Sequence, residues 1–416
     1  MKQFIVVGGG IIGLSSAYYL KQAGFAVTVI DPHGGKIGAS YGNAGFIGPS
    51  HYTPLSNPKA FKNALRWMLS PTSPFYIRPA LNRTLIGWGL LFMRHANEGH
   101  VERSARPLVE IGLLSQRLYE EWLADFGGFS YEKKGLITIF QTEKALRGAE
   151  LEIEKARSLG LDAVMLGSAD LAKLEPDVEF NAIGGTHMRA DAHTYPPQLM
   201  HALLETLRAS GVSIVEATAI GFRHENGCLT SVECEDQSYC ADEFVLASGI
   251  WSREIAKTLG ISIPMVSGRG YSMTYPLAQC PVRHPLYLGE ASVGITPMDG
   301  DKVRLGGTME IVPVGTPPRL NRVKGILNSV RRFLPNSNFP EPKPDEIWFG
   351  YRPCSADGLP YIGRHHAYEN LIVATGHSML GLGLGPATGR LVCELAMDEP
   401  TTIDISAFSL TRFNRR

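Results

Sequence analysis

The sequence is poor in cysteine, and no two of its cysteines form a CxxC pair. Six cysteines in 416 residues give no sign of a disulfide framework. In a chain of this size they are typical of free thiols in a reducing compartment. We therefore expect a cytoplasmic protein or one at the cytosolic face of a membrane. The six are Cys228, Cys234, Cys240, Cys280, Cys354 and Cys393.

A long hydrophobic run is also missing. A helix that spans a bilayer needs about 18 apolar residues or more, and the most suspicious run, Leu85 to Met93, is about half as long. The apolar residues after Lys2 resemble a secretory signal, but the glycines behind them are better explained by a βαβ unit. We expect neither a spanning helix nor a signal peptide, and attachment to a membrane surface stays open.

Net charge and the common catalytic signatures are absent as well. Forty Lys and Arg residues balance forty Asp and Glu residues, so bulk charge gives no reason to expect a nucleic-acid partner. No internal repeat, Ser-His-Asp arrangement or metal-ligand spacing is found, so we expect no metal. The length and the 44% hydrophobic content suit about two ordinary globular domains.

What the N-terminus does contain is the pattern of a dinucleotide-binding βαβ unit. Residues 4–7 are apolar, which is typical of a strand buried on both faces of a parallel sheet. Gly8, Gly10 and Gly13 follow at GxGxxG spacing. They respectively permit a tight turn, let backbone approach a pyrophosphate and bring the helix close to the strand. The phosphates are then expected at the N-terminus of that helix.

Asp31 ends the next predicted strand, residues 25–30. An acidic residue about twenty positions after the glycines can accept the hydroxyls of an adenosine ribose and disfavours a phosphorylated ribose. A purely structural turn without nucleotide is the alternative. The glycines alone do not decide between FAD and NAD.

A glycine- and serine-rich loop follows over residues 34–48. Because it has few side chains that pack, we expect its backbone N–H groups and small side chains to lie along an extended cofactor. A mobile surface loop is the alternative.

Residues 52–106 are rich in proline and aromatic residues, which indicates an insertion. Two interpretations stay open: a small core beneath a cap domain, which we prefer, or a surface that faces a membrane or partner. The second interpretation depends on Trp67, Phe75, Tyr76, Trp88 and Phe92, with Arg66, Arg78, Arg83 and Arg94 beside them.

The rest of the chain alternates between helical and strand periodicity. A hairpin is expected at Asn226-Gly227, and the short alternating strands after residue 262 predict an antiparallel sheet that faces a substrate. Helices are predicted at about 108–126, 143–159, 197–210 and 322–333, and strands at 136–140, 212–217, 244–249, 263–275, 286–293 and 303–308.

Five separated stretches carry a family resemblance: Gly8 to Gly13; Ala39-Ser40 with Asn43 to Gly45; Leu246 to Ser252; Gly350 to Pro353 with Asp357 to Gly363; and Ala374 to Gly389. Together they resemble FAD-dependent amino-acid oxidoreductases of the D-amino-acid oxidase and glycine oxidase fold, above all bacterial D-amino-acid dehydrogenases. They span nearly the whole chain in the family's order.

The resemblance implies an α/β fold with an α+β second domain. A Rossmann-like FAD-binding domain would comprise residues 1–56, 160–262 and 346–416. An interleaved antiparallel-sheet substrate or cap domain would comprise residues 57–159 and 263–345.

The resemblance also implies noncovalent FAD, since the position of Cys354 does not match a flavin-tethering motif. Backbone N–H groups of residues 376–383 are expected at the pyrimidine edge of the flavin. The implied cofactor-binding residues are Gly8, Gly10, Ile11, Ile12, Gly13, Asp31, Ser40, Asn43, Ala44, Gly45, Ala247, Ser248, Gly249, Trp251, Gly376, His377, Gly381, Leu382 and Gly383.

For the substrate, the resemblance implies that Arg352 binds a carboxylate, which a planar guanidinium can do in a bidentate manner. A structural surface arginine is the alternative. Tyr271 is a candidate substrate-pocket hydroxyl, with a buried core tyrosine as its alternative. His51 is a further catalytic candidate.

The implied reaction is oxidative deamination of a D-amino acid, with D-proline or hydroxy-D-proline as suggested substrates. A hydride passes from the α-carbon to the flavin, and a quinone or electron carrier takes the electrons, with peripheral membrane contact as an option. The alternatives are a sarcosine- or glycine-type amine oxidase that uses oxygen, a glycerol-phosphate-type dehydrogenase, a flavin-binding redox sensor without turnover, and an NAD-binding protein.

Overall fold

In the computed structural model, residues 1–59, 67, 72–79 and 82–413 are described. Their strands are β1 (Gln3–Val7), β2 (Ala26–Asp31), β3 (Phe46–Ile47), β4 (Phe75–Ile77), β5 (Tyr131–Glu132), β6 (Leu136–Phe140), β7 (Ala163–Gly167), β8 (Gly184–Met188), β9 (Ala192–Thr194), β10 (Ser213–Glu216), β11 (Ala219–Glu225), β12 (Cys228–Cys234), β13 (Ser238–Cys240), β14 (Glu243–Leu246), β15 (Met265–Pro276), β16 (Leu286–Leu288), β17 (Val293–Met298), β18 (Lys302–Ile311), β19 (Trp348–Ser355), β20 (Tyr361–His365) and β21 (Tyr368–Thr375). Their helices are α1 (Ile11–Gln22), α2 (Arg83–His95), α3 (Glu98–Asp125), α4 (Glu143–Ser158), α5 (Ser168–Leu174), α6 (Pro196–Ala209), α7 (Ser252–Thr258), α8 (Leu320–Phe333) and α9 (Gly381–Ala396).

The first large sheet has six strands in the order β10-β2-β1-β14-β21-β20. Neighbours pair in parallel except β20, which runs antiparallel to β21. Strand β1 is buried on both faces, as predicted. Phe4 and Val6 face a core that includes α1, α3, α6 and α9. Ile5 and Val7 face a second core under the meander β11-β12-β13.

Helices α1 and α9 cross with their backbones close together. A β-carbon at Gly389 would lie 2.5 Å from the carbonyl oxygen of Ser15, and one at Gly385 would lie 2.6 Å from Cγ1 of Ile11. Such distances leave room for glycine alone. The early turns of both helices therefore lie side by side against the six-stranded sheet.

The second large sheet has nine strands, eight of them in the order β19-β15-β18-β17-β16-β6-β8-β7, with β4 added beside β18. Its pairs are antiparallel apart from β16 with β6 and β4 with β18. This mixture of a mostly parallel sheet and a mostly antiparallel sheet confirms the predicted fold class.

The two faces of the nine-stranded sheet have different neighbours. On one face, Tyr271, Met273 and Leu305 pack with the apolar side of α8. On the other face, Ser272 donates to the carbonyl oxygen of Gly42 in the glycine-rich loop, at 2.9 Å. We call this second side the loop face, since alternate residues of each strand point towards that loop.

Several strands belong to a different sheet from the one that the predicted domain limits imply. Strands β7, β8 and β19 pair in the nine-stranded sheet, although residues 160–262 and 346–416 were assigned to the FAD-binding domain. Helix α3 lies inside the predicted cap segment, yet it packs in the core of α1 and α9. The division into two domains stays a proposal. In it, β7, β8 and β19 now belong with the nine-stranded sheet, and α3 belongs with α1 and α9.

In the described part of the insertion the aromatic side chains are packed, as the preferred interpretation expects. Trp88 is buried, and Phe75 and Phe92 pack with it against Met309 and Cys354. None of the five aromatics named for the membrane-facing interpretation is exposed. The exposed apolar side chains are aliphatic instead: Ile86, Leu90 and Met93 on α2. Arg66 lies outside the described residues.

Candidate active site

Four parallel strands of the first sheet end at a common edge, and the predicted cofactor residues follow them directly. Gly8 follows β1, Asp31 ends β2, Ala247 follows β14 and Gly376 follows β21. Strands β1 and β14 lie at the centre, where the direction of the strand order changes. In open α/β sheets this carboxyl edge is where ligands bind.

The glycine turn after β1 is packed too tightly for side chains at two positions. Gly8 has φ +116°, and a β-carbon there would lie 2.5 Å from the carbonyl oxygen of Ala247. A β-carbon at Gly13 would lie 1.8 Å from the carbonyl oxygen of Gly8. The turn therefore brings α1 directly against the end of β1, which is the geometry that the glycine spacing predicts.

The first turn of α1 opens onto free space. Gly10 is its N-cap and has no side chain to accept from the helix, and a β-carbon there would meet only Ser40 Oγ, at 3.8 Å. Ser40 Oγ accepts from Ile11 N at 3.1 Å, with Ile12 next in the same turn. A helix start whose N-cap residue has no side chain, with open space beside it, is suited to an anion such as a pyrophosphate.

Asp31 organises the loop beside this turn. Its carboxylate accepts backbone N–H groups from Gly9 at 2.8 Å, His33 at 2.9 Å and Gly35 at 3.1 Å. A carboxylate offers about four acceptor sites, so it retains capacity for a ribose hydroxyl.

The glycine-rich loop is fastened to the second sheet by a buried arginine. Arg304 Nη1 donates to the carbonyl oxygens of Tyr41 at 2.9 Å and Asn43 at 2.8 Å. Burial lowers the pKa of Arg304 to about 10, which leaves it charged at neutral pH. Asn43 Oδ1 in turn accepts from Gly45 N at 2.9 Å. Ala44 thus lies in a loop held against the loop face.

The segment after β14 is joined to β21. Gly249 has φ +57°, and its carbonyl oxygen accepts from Thr375 Oγ1 at 2.9 Å. The Ser248 hydroxyl is hydrogen-bonded to that of Ser252 at 3.1 Å. Trp251 is 53% exposed, so its ring stands outside the protein core at this edge.

The segment from Gly376 to α9 joins this edge to the strand that carries Arg352. Ser378 N donates to the carbonyl oxygen of Pro353 at 3.0 Å. His377 is buried and hydrogen-bonded to Thr388 Oγ1 at 3.0 Å, and burial lowers its pKa to about 3. His377 is therefore neutral and serves as a structural contact. Helix α9 then starts with the predicted trio Gly381, Leu382 and Gly383.

Arg352 lies on the loop face of β19. It pairs with Gly268 in a regular register with β15, and Gly268 has the same strand parity as Ser272. Its guanidinium donates from Nη1 to the carbonyl oxygen of Thr308 at 2.7 Å, and burial lowers its pKa. Among the described residues, no carboxylate lies within 4.0 Å of this guanidinium. The arrangement leaves a partly buried positive charge with donors to spare.

The structure does not bring Tyr271 to Arg352, so the substrate-pocket interpretation of this tyrosine is corrected. Successive residues of a strand face opposite sides, and Tyr271 points towards α8. Its hydroxyl donates to Glu310 Oε2 at 2.7 Å and accepts from Arg319 N at 2.9 Å. Tyr271 belongs instead to a buried cluster with Arg269, which pairs with the same carboxylate at 2.7 Å.

Tyr287 is the loop-face tyrosine that the sequence analysis missed. Its neighbours Leu286 and Leu288 are buried in the α8 core, so Tyr287 points to the side of Arg352. Burial raises the pKa of Tyr287, and the nearby Arg352 acts against that rise. Residues 286–293 were predicted as one strand, whereas a turn at 289–292 divides them into β16 and β17.

His51 lies near the loop face of the nine-stranded sheet, with Phe46 between them. Its ring stacks on Phe46 with centroids 6.2 Å apart, and a β-carbon at Gly294 of the loop face would touch Phe46 at 2.9 Å. Burial lowers the pKa of His51, so its imidazole is neutral at neutral pH.

These residues fit FAD. The open first turn of α1, the spare acceptor site of Asp31 and the fastened loop 40–45 suit a dinucleotide, and the segment 376–383 continues towards Arg352 as a flavin would require. Among the described residues, no group of three or more His, Cys, Asp or Glu side chains is placed to hold a metal. In the same part of the chain, no helix is both long and apolar enough to cross a bilayer.

Comparison with known proteins agrees with this geometry. Residues 3–395 match the model of the DAO family, described as FAD dependent oxidoreductase. A D-amino acid dehydrogenase of Helicobacter pylori is 30% identical over 413 residues, 98% of each chain. Glycine oxidase from Geobacillus kaustophilus has a TM-score of 0.76 at 22% identity and full coverage of both chains. L-proline dehydrogenase from P. horikoshii has a TM-score of 0.79 at 17% identity, covering 100% of this chain and 98% of that one.

The match covers nearly the whole chain, includes both sheets and the site between them, and confirms the resemblance and the cofactor expected from the sequence. The chain belongs to the DAO family of FAD-dependent oxidoreductases.

Proposed function

We propose that this protein oxidises the α-carbon of a D-amino acid with FAD as the electron acceptor, giving an imino acid that water hydrolyses. The observation that carries the proposal is Arg352, a partly buried guanidinium with no carboxylate partner among the described residues. A buried charge without a partner is costly. A substrate carboxylate would supply that partner.

Arg352 would hold the carboxylate in a bidentate manner, for which its planar fork of donors is suited. The Tyr287 hydroxyl, on the same face of the sheet, is the second proposed carboxylate contact. Fixing the carboxylate at one side of the α-carbon leaves its hydrogen free to point at the cofactor. Orientation of this kind supplies much of the rate enhancement where no covalent catalysis is needed.

The bound FAD supplies the chemistry that the side chains lack, since its ring accepts the hydride. The first turn of α1 and Asp31 would hold its adenosine diphosphate half. The loop 40–45 and the segment 376–383 would hold its flavin half.

The substrate amine must be neutral for the reaction. His51 carries no charge at neutral pH, because burial lowers its pKa. It therefore does not repel an arriving ammonium.

The substrate class is supported by the D-amino acid dehydrogenase named among the relatives. Within that class we propose a cyclic substrate, D-proline or hydroxy-D-proline. Anaerobic mixing of the protein with single compounds tests the proposed substrate class. D-amino acids should bleach the flavin absorbance, whereas L-amino acids, sarcosine and glycerol phosphate should not. A flavin that no D-amino acid bleaches would refute the proposal.

For the final acceptor we propose a quinone or its carrier at a membrane surface. The support is the named dehydrogenase relative, together with the exposed aliphatic face of α2. Ile86, Leu90 and Met93 recur at helical spacing and are each at least half exposed. Arg83 and Arg94 stand at the two ends of the helix, where they suit anionic headgroups.

A further inference from the structure

Strand β18 contains a β-bulge directly beneath the guanidinium of Arg352. The register with β15 jumps from Arg269 opposite Glu310 to Tyr271 opposite Gly307. Two residues of β18, Thr308 and Met309, therefore face the single residue Gly270 of β15. Bulges of this kind turn backbone groups away from the ladder and are common next to active sites.

Thr308 adopts a backbone conformation that β-branched residues rarely take. Its φ is +69°, in the left-handed region that favours glycine. In this conformation its carbonyl oxygen leaves the ladder and accepts from Arg352 Nη1 at 2.7 Å. The amide of Met309 is satisfied elsewhere, by the carbonyl oxygen of Pro74 at 2.8 Å.

The residue opposite the bulge has no side chain, and the guanidinium occupies that space. A β-carbon at Gly270 would lie 2.0 Å from Nη2, 2.2 Å from Nη1 and 2.3 Å from Cζ of Arg352. These distances are far below any allowed contact. The guanidinium therefore occupies the space where a β-carbon of residue 270 would stand, while the Thr308 carbonyl oxygen accepts from its Nη1.

We propose that Thr308 and Gly270 form a socket that positions Arg352 for substrate binding. The inference rests on the proposed role of Arg352 as the carboxylate-binding residue. Thr308 accepts from Nη1 and fixes that end of the guanidinium, and Gly270 admits the group to this position because it has no β-carbon. The remaining donors are left in one orientation for a carboxylate. Thr308 and Gly270 are thus positioning residues, which act on the substrate through Arg352.

A double-mutant cycle with Gly270→Ala and Arg352→Ala separates positioning from general structural damage. The probe is propionate, which has the carboxylate of D-alanine without its amine, and binding is followed by the perturbation of flavin absorbance. Gly270→Ala should retain FAD and weaken propionate binding at least tenfold. It should raise KM for the amino acid more than it lowers kcat. In the Arg352→Ala background, the same change should alter binding less than twofold.

Gly363→Ala is the matched control. It is also a strand glycine, but a β-carbon there would meet only Leu410 Cγ at 3.9 Å, so it should bind propionate normally. Thr308→Gly, which accepts the positive φ without strain, should keep binding within threefold of the parent protein and remains informative if Gly270→Ala does not fold.

Three results overturn the socket: no weakening in Gly270→Ala, an equal weakening with and without Arg352, or a tenfold loss in Thr308→Gly with FAD retained. A different result would count against the proposed function itself. If Arg352→Ala alone binds propionate normally, the carboxylate site is elsewhere.

Discussion

The indole Nε1 of Trp88 donates to the carbonyl oxygen of Cys354 at 3.0 Å. Trp88 comes from the insertion, and Cys354 stands two residues after Arg352 on β19. The insertion is therefore anchored to the strand that carries the proposed carboxylate ligand. The exposed side of α2 is aliphatic, and its Leu90 is 59% exposed.

Removing that aliphatic side should release the protein from membranes without affecting chemistry. In the triple variant Ile86→Ser, Leu90→Ser, Met93→Ser, we expect weaker co-sedimentation with anionic lipid vesicles, because apolar burial in the interface is lost. Anaerobic flavin reduction should stay unchanged. Leu151→Ser is the control, since Leu151 is 68% exposed on α4. Equal sedimentation of all three proteins would contradict the membrane contact.

The acceptor proposal predicts a difference in reoxidation rates. After reduction by substrate, the flavin should reoxidise slowly in air-saturated buffer and quickly with a soluble quinone analogue. Stopped-flow absorbance of the flavin measures both rates. Hydrogen peroxide formed stoichiometrically at the rate of turnover would make the protein an oxidase instead.

Sequence reasoning predicted the parts of the fold that local physics determines. The glycine spacing after β1 and the strand 136–140 follow from backbone conformation and periodicity, and both agree with the structure. Helix α3 starts ten residues before the predicted 108 and has Pro107 in its interior, where proline is normally unfavourable. Tertiary packing of α3 against α9 outweighed that local preference.

The site was harder to predict, because the face of a side chain depends on strand register. Tyr271 and Arg352 lie on strands that pair with each other, but on opposite faces. Tyr287 reaches the loop face because it pairs with Gly294 of β17, which in turn pairs with Gly306 of β18, the partner of Ser272. Strand register of this kind leaves no clear signal in the sequence.

The buried carboxyl group of Asp191 should make the stability of the folded protein depend on pH. It is buried beneath the loop that leads to His51 and is hydrogen-bonded to Ser50, and burial raises its pKa to about 7. A carboxyl group with a raised pKa binds its proton more tightly in the folded state. Its ionisation therefore lowers the stability as pH rises from about 4 to 7, by at most on the order of 4 kcal/mol.

Asp191→Asn removes that titration and can keep both contacts with Ser50. We expect the variant to gain stability over the parent protein between pH 5 and pH 8, with little further gain above pH 8. Thermal unfolding at matched buffers measures the difference. A difference that does not vary with pH would show that Asp191 is ionised throughout.

Cys354 should not tether the flavin. Its thiol is fully buried and packs against Met309, with the two sulfur atoms 3.9 Å apart. Burial raises the pKa of Cys354 to about 12, so the nucleophilic thiolate is scarce. Acid precipitation should leave all yellow colour in the supernatant, and Cys354→Ser should bind a full complement of FAD. Colour in the pellet of the parent protein that Cys354→Ser abolishes would contradict this.

The central claim is that Arg352 binds the carboxylate of a D-amino acid that reduces the flavin, and anaerobic stopped-flow reduction by D-proline in the parent protein and in Arg352→Ala tests it most directly. A charge-assisted hydrogen bond contributes about 1.5–3 kcal/mol and a bidentate pair more, so the second-order rate constant for flavin reduction should fall on the order of a hundredfold or further. FAD content should be unchanged, and Arg352→Lys should restore only part of the loss. Equal rate constants in the parent protein and Arg352→Ala would contradict the claim.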